Sequence, residues 1–199
     1  DPSSTLGQGM ALLARAEKLP GAGLRLHRDR ANLQRVMAEV RFWKGDDPTA
    51  CLEATLRSGR EDEFTADLRW VIARWQRIRG IDPIPQLDRA LKNLERPSFQ
   101  NRDEYGWAGR HSQTWRIRAY WALEQEGSPE QAVSKCLEFA EMALKANPRS
   151  AEARLDSAYG NLLVFYMARQ KQRLDPRPLR KAVAEAQEAH RNRPPWAAA

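Results

Sequence analysis

Cysteine is scarce in this chain. There are two in 199 residues, Cys51 and Cys136, and no Cys-x-x-Cys pair. A disulfide framework or a thiolate zinc site of ordinary spacing is therefore not expected. Both thiols fall in predicted helices, where a small apolar side chain packs well, and are read as buried and free. The three histidines, His27, His111 and His190, lie far apart with no partner at ligand spacing. They are read as surface or capping residues, not metal ligands. No apolar run approaches the ~20 residues that cross a bilayer. No signal-peptide pattern is present. There is no Gly-x-Ser-x-Gly, no glycine loop to cradle phosphate, and no Cys/His pair placed as nucleophile and base. No segment alternates with the period of a strand. The sequence thus predicts no catalytic residue, no metal site and no cofactor.

Charge and proline are what the chain does have. With 42% hydrophobic and 30% charged residues it reads as globular, not disordered. Its net charge of +7 permits an acidic or nucleic-acid partner. The surplus is greatest in the last quarter, around Arg169, Lys171, Arg173, Arg177, Arg180 and Lys181, with Asp175 opposing. That group is a candidate basic patch.

Four turns repeat along the chain: Gly45-Asp46-Asp47-Pro48, Gly80-Ile81-Asp82-Pro83, Glu126-Gly127-Ser128-Pro129 and Arg173-Leu174-Asp175-Pro176. Their prolines are spaced by 35, 46 and 47 residues. A unit of that size marks a helical repeat array. Aligned on the prolines, first helices fall at 25–44, 61–79, 102–126 and 150–173. Second helices fall at 48–58, 83–96, 129–146 and 177–191, and a further helix precedes them at 4–19. An Asp or Ser followed by Pro suits a helix start, since the side chain accepts an orphan N–H and Pro has none to leave unpaired. Ser128 with Gln131 predicts a capping box. Glu61, Asp62 and Glu63 suit the positive end of a helix dipole.

The second helices carry small residues at matching positions. Cys136, Ala140, Ala143 and Pro148 recur 46 residues later as Ala182, Ala186, Ala189 and Pro194. The first helices carry the bulk, such as Trp70, Ile72 and Trp75. Small against large lets helix layers interdigitate, so Ala143 and Ala189 are expected to be buried at equivalent joints. The stretch 97–115 is the least regular. Its Phe99, Tyr105, Trp107, His111 and Trp115 alternate with Arg102 and Arg110. These rings are read as sealing the junction between the second and third units; the alternative is that, mixed with arginine, they stack bases or grip a peptide.

Ala140-x-x-Ala143-Leu144-x-x-x-Pro148, followed by Ala151-Glu152-Ala153 and Tyr159, resembles the tetratricopeptide repeat (TPR) family. The unit is longer than that family's roughly 34 residues, and Ala140 and Ala186 replace its second-helix aromatic. The resemblance implies an all-α, TPR-like superhelical solenoid of about four to five hairpins. It would be a single domain over 1–199, with units near 25–58, 61–97, 102–148 and 150–194. Runs such as Ala119-Tyr120-Trp121-Ala122-Leu123-Glu124-x-x-Gly127-x-Pro129 resemble the repeat regions that follow the catalytic domain in bacterial eukaryotic-like Ser/Thr protein kinases. The kinase signatures themselves are absent.

The function implied is a non-catalytic protein–protein interaction module, the accessory region of a larger bacterial protein such as a kinase. The family's groove positions map to Glu152, Leu155, Tyr159 and Leu162, with counterparts at Tyr105, Ala108, Ser112 and Trp115. The expected partner is a protein or peptide, acidic in character. The alternative is a basic helical-repeat module that binds nucleic acid. The chain begins Asp1-Pro2 without an initiator methionine, so it is expected to be an excised fragment. A cytoplasmic location is expected, or a periplasmic one if a membrane span precedes the fragment. Trp196 is expected to fold back on the last helix or to mediate self-association through the terminal repeat.

Overall fold

The computed structural model describes residues 2–16, 24–57, 63–95, 104–173 and 175–192. Those residues form nine helices and no strand. They are α1 (Pro2–Ala16), α2 (Leu24–Lys44), α3 (Thr49–Leu56), α4 (Glu63–Ile78), α5 (Ile84–Leu94), α6 (Glu104–Glu124), α7 (Glu130–Ala146), α8 (Ala151–Gln170) and α9 (Arg177–Arg191). The expected all-α class is what is found. Trp196 lies outside the described residues.

The four Pro-marked turns share one backbone. Each first helix ends in a residue of left-handed conformation: Gly45 at φ 80°, Gly80 at 70°, Glu126 at 53° and Gln172 at 56°. The next residue then donates its N–H to the carbonyl five residues back. The bonds are Asp46 to Arg41 and Ile81 to Gln76 at 2.9 Å, and Gly127 to Ala122 and Arg173 to Ala168 at 2.8 Å. This is the Schellman ending, which satisfies carbonyls that a helix end otherwise leaves orphaned. In the third turn Gly127 is not the left-handed residue. It follows it, where an added Cβ would come 3.2 Å from the Ala122 oxygen. In the fourth turn the left-handed residue is Gln172, which leaves one more residue before Pro176 than the other turns have.

After each Schellman ending the chain must start a new helix. Asp47, Asp82 and Asp175 do this alike, with Oδ1 accepting the N–H two residues on, at 2.8, 2.9 and 3.0 Å. Ser128 departs from the predicted capping box. Its hydroxyl donates to the Glu130 carboxylate at 2.6 Å, and α7 starts after Pro129 without a side-chain cap. A charged carboxylate two residues away is the stronger acceptor and takes the proton. Ser150 caps α8 in the ordinary way, accepting from the Ala153 N–H at 3.1 Å.

Contacts divide the chain into two compact units, Asp1–Asn93 and Leu94–Ala199. In the first unit α2 packs against α1, α3 and α4. Ala38, Cys51, Leu52, Leu68, Val71 and Ile72 form its core. Buried Arg69 donates to Gln86 at 2.9 Å and ties α4 to α5, whose Leu87 and Leu91 are buried. Arg79 Nη2 reaches back to the Gly45 carbonyl at 2.9 Å, so the second turn is tied to the first.

In the second unit α6 packs on both α7 and α8, α7 packs on α8, and α9 packs on α8. Ala108, Ala143 and Ala153 meet at one joint of three helices, each essentially inaccessible. Lys171, one residue before the left-handed Gln172, reaches Glu130 at 2.8 Å. Arg79 holds the matching place before Gly80. Ala143 and Ala189 are both buried, as the repeat predicts. Ala186 is exposed although its counterpart Ala140 is buried; among the described residues α9 packs chiefly on α8, while α7 is held by both α6 and α8.

Gly80 has open space where a Cβ would stand, so only its backbone conformation demands glycine. Gly80→Ala should cost about 1 kcal/mol in urea unfolding, the usual penalty for an L-residue in the left-handed region. Glu126→Gly should be neutral or stabilising. Equal midpoints for Gly80→Ala and the parent would refute the turn assignment.

Candidate functional site

The predicted groove positions come from two consecutive first helices, α6 and α8, and the structure separates them into two kinds. Tyr159 and Glu152 are exposed, and Trp115, Leu155 and Leu162 are half-buried. Ser112 is fully buried, and this corrects its assignment to an open groove. Its hydroxyl donates to the Cys136 carbonyl of α7 at 2.9 Å. A small hydroxyl at this position lets α6 and α7 approach, so it faces the joint. Ala108 is buried for the same reason. The Tyr105 side chain lies outside the described residues.

Arg116 and Asp156, which the sequence reading did not single out, organise the seam. Arg116 on α6 meets Asp156 on α8 at 2.6 Å. Asp156 is 1% exposed. Its other oxygen has no hydrogen-bond partner. The Arg116 guanidinium also lies 4.8 Å from the Tyr159 ring centre. Tyr120 meets the same ring edge-on at 6.3 Å. Asp156 and Tyr159 are one helical turn apart, so a single pair of helices sets the whole cluster. A half-exposed tyrosine, 41% accessible, is thus pinned by a buried ion pair beneath it.

Burial pushes the Asp156 carboxyl up to about 6, and the Arg116 charge offsets this only in part. Burial, with the Asp156 charge, pushes the Cys136 thiol up to about 12. A thiol that stays protonated is no nucleophile. Both cysteines are free and buried. Among the described residues no three His, Cys, Asp or Glu side chains gather to hold a metal.

His111 is neither a surface nor a capping residue. It is buried and stacked on Phe139, with ring centres 4.5 Å apart, and it also meets Trp107 at 4.5 Å. Neither ring nitrogen has a partner, and burial lowers its pKa to about 4. From residue 104 the segment thought least regular is helical, and Trp107 donates to the Leu94 carbonyl at 2.9 Å.

All six cations of the candidate basic patch are exposed. Two are matched by anions. Lys171 pairs with Glu130, whose carboxyl is held down to about 2 by hydrogen bonds from Lys171 and Ser128. Arg177 grips Asp175 through two nitrogens. The local positive field is correspondingly smaller than the sequence suggests.

The first unit has a related cluster between α2 and α4. The Arg74 guanidinium lies 4.5 Å from the ring centres of Phe42 and Trp70 and 5.9 Å from that of Trp43. Glu39 stands 3.6 Å away, its pKa raised by burial against the pull of Arg74. Trp43 is 74% exposed. In both units an arginine between consecutive first helices is backed by a carboxylate and stacked on an exposed ring.

No family model, no curated protein and no solved structure matches this chain. Among the described residues no helix is long and apolar enough to cross a membrane.

The two buried titrating groups act in opposite directions. The Asp156 value lies above the ordinary 3.8, so its stabilisation is full below about pH 3.8 and is lost as pH rises through about 6. The His111 value lies below the ordinary 6.5, so its stabilisation is present above about 6.5 and lost as pH falls through about 4. Each is worth up to about 3 kcal/mol at 1.36 kcal/mol per pKa unit. Between pH 4.5 and 6.5, relative to the parent, the melting midpoint of Asp156→Asn should fall on acidification and that of His111→Phe should rise. Parallel curves for all three proteins would contradict the assignment.

Proposed function

We propose that this chain is a non-catalytic TPR-like interaction module that binds a protein or peptide along the seam of consecutive first helices. The observation that carries the reading is the exposed Tyr159 ring, stacked on Arg116 and held in place by buried Asp156. Tyrosine and arginine dominate binding energy where they are fixed beforehand, since little side-chain freedom is then lost on association. Glu152, Leu155 and Leu162 on α8, with Trp115 on α6, extend the same face.

The repeated Schellman turns and the three-helix joint of Ala108, Ala143 and Ala153 support a solenoid architecture. In a solenoid the first helices form one continuous wall, which suits an extended ligand better than a small substrate. The seam's own cation, Arg116, is matched by Asp156, so the contact offered there is aromatic and apolar. The resemblance in the helical runs supports placing the module beside a bacterial Ser/Thr kinase domain, as its accessory region. The pairing of Lys171 and Arg177 with neighbouring carboxylates weighs against nucleic acid as the ligand.

A displayed random-peptide library selected on the full chain tests this. Recovered peptides should bind the parent and lose at least tenfold on Tyr159→Ala, with little change between low and moderate salt. Equal binding by Tyr159→Ala would refute the site. Single-stranded DNA that binds more tightly than any peptide, with affinity falling log-linearly in salt, would establish the nucleic-acid reading instead.

A further inference from the structure

We propose that the buried Arg116–Asp156 pair is a proton-operated switch on the first-helix seam. Ionised, the pair holds Tyr159 ready for a peptide; protonated at Asp156, it lets the ring go. The inference deepens the reading of that seam as the binding face and rests on it.

The geometry carries the argument. Asp156 on α8 is 1% exposed and meets Arg116 of α6 through one oxygen, at 2.6 Å. Its other oxygen has no hydrogen-bond partner. The Arg116 side chain is 17% exposed, so little water stands by to replace a lost counter-ion. Its guanidinium lies 4.8 Å from the centre of the Tyr159 ring. The orientation of that ring thus hangs on a single charge-assisted bond, and such a bond loses about half its strength when the charge is removed. Protonation of Asp156 also leaves a largely covered guanidinium unmatched, which is costly. The guanidinium then turns towards water, and Tyr159 loses the face it rests on. A peptide must afterwards order the ring itself, and it binds more weakly for that.

The surroundings leave this proton to Asp156. α6, α7 and α9 all lie against α8. From α6 the facing charge is Arg116, while the Ser112 hydroxyl is committed to the Cys136 carbonyl at 2.9 Å. From α7 the facing group is the Cys136 thiol, pushed up to about 12 and so neutral throughout. Its Sγ meets the Asp156 backbone carbonyl at 3.9 Å, which holds the backbone independently of the carboxyl. On α8 itself Glu152 adds negative charge that favours the proton. From α9 Glu185 is taken by Arg154 at 2.7 Å, and a residue two positions from Asp156 does not share its face. His111 of α6 is held down to about 4, whereas Asp156 lies at about 6 and takes its proton first as pH falls. The raised value means that the same proton stabilises the fold. On mild acidification affinity and this group's stabilisation therefore move in opposite directions, which distinguishes switching from acid unfolding.

Two readouts on the full chain, between about pH 5 and about pH 7.5, test the proposal. Without peptide, the Tyr159 ring resonances of the isotopically labelled parent should shift with a midpoint near 6, and those of Asp156→Asn should stay constant. A library-selected peptide without Asp, Glu or His should bind the parent at least fivefold more weakly at the lower pH. Asp156→Asn should bind it weakly at both, and His111→Phe should keep the parent's dependence. Circular dichroism melts show whether Asp156→Asn is folded; if it is not, the parent's ring titration and affinities decide. A flat ring titration in the parent would overturn the switch. So would equal affinity at the two pH values for a peptide that Tyr159→Ala weakens, and the seam would then still stand. A peptide that binds Tyr159→Ala as well as the parent refutes the seam instead, while the ring titration still decides the switch.

Discussion

The left-handed residue that ends each first helix is the constraint on which the rest of the structure depends. It fixes where the helix stops, and the Asp or Ser with its Pro fixes where the next begins. Within each unit the consecutive first helices, α2 with α4 and α6 with α8, then meet in a defined register. Arg79 and Lys171, both one residue before a left-handed position, reach back to the preceding turn or to the helix that starts from it. Glycine meets this demand at Gly45 and Gly80. At Glu126 and Gln172 a side chain accepts the strained conformation, at a cost of about 1–2 kcal/mol that the surrounding hydrogen bonds must offset.

Register decides chemistry. Because α6 and α8 meet as they do, Arg116 lies over Asp156 and under Tyr159. The buried carboxylate is expensive on its own, and its raised pKa records that expense. Retaining it secures orientation more than stability, since a buried pair often stabilises no better than an apolar replacement. The first unit reaches a similar end with different residues, Arg74 among Phe42, Trp43 and Trp70 with Glu39 behind it.

Much of this scaffold was legible in the sequence because the signals are local. Pro48, Pro83, Pro129 and Pro176 each interrupt a helix, and three aspartates before them use their carboxylates as the composition suggests. The seam was not legible. Arg116 and Asp156 are 40 residues apart on different helices, and no spacing rule within either helix pairs them. Ser112 was assigned to the open face because helical period fixes a side, not which of two neighbours that side meets. Glu126 and Gln172 gave no sign of their conformation, since neither is a residue type that favours it. His111 was more accessible to reasoning than its surface assignment allowed: Trp107 stands four residues earlier, one helical turn away, and already suggested an aromatic stack.

The most direct measurement is a nuclear magnetic resonance titration of the isotopically labelled chain with a selected peptide. The account predicts that shifted amides concentrate in 112–123 and 152–163, the two sides of the Arg116–Asp156 seam. Shifts confined to the exposed cations between Arg169 and Lys181, or to α3 and α5, would contradict it.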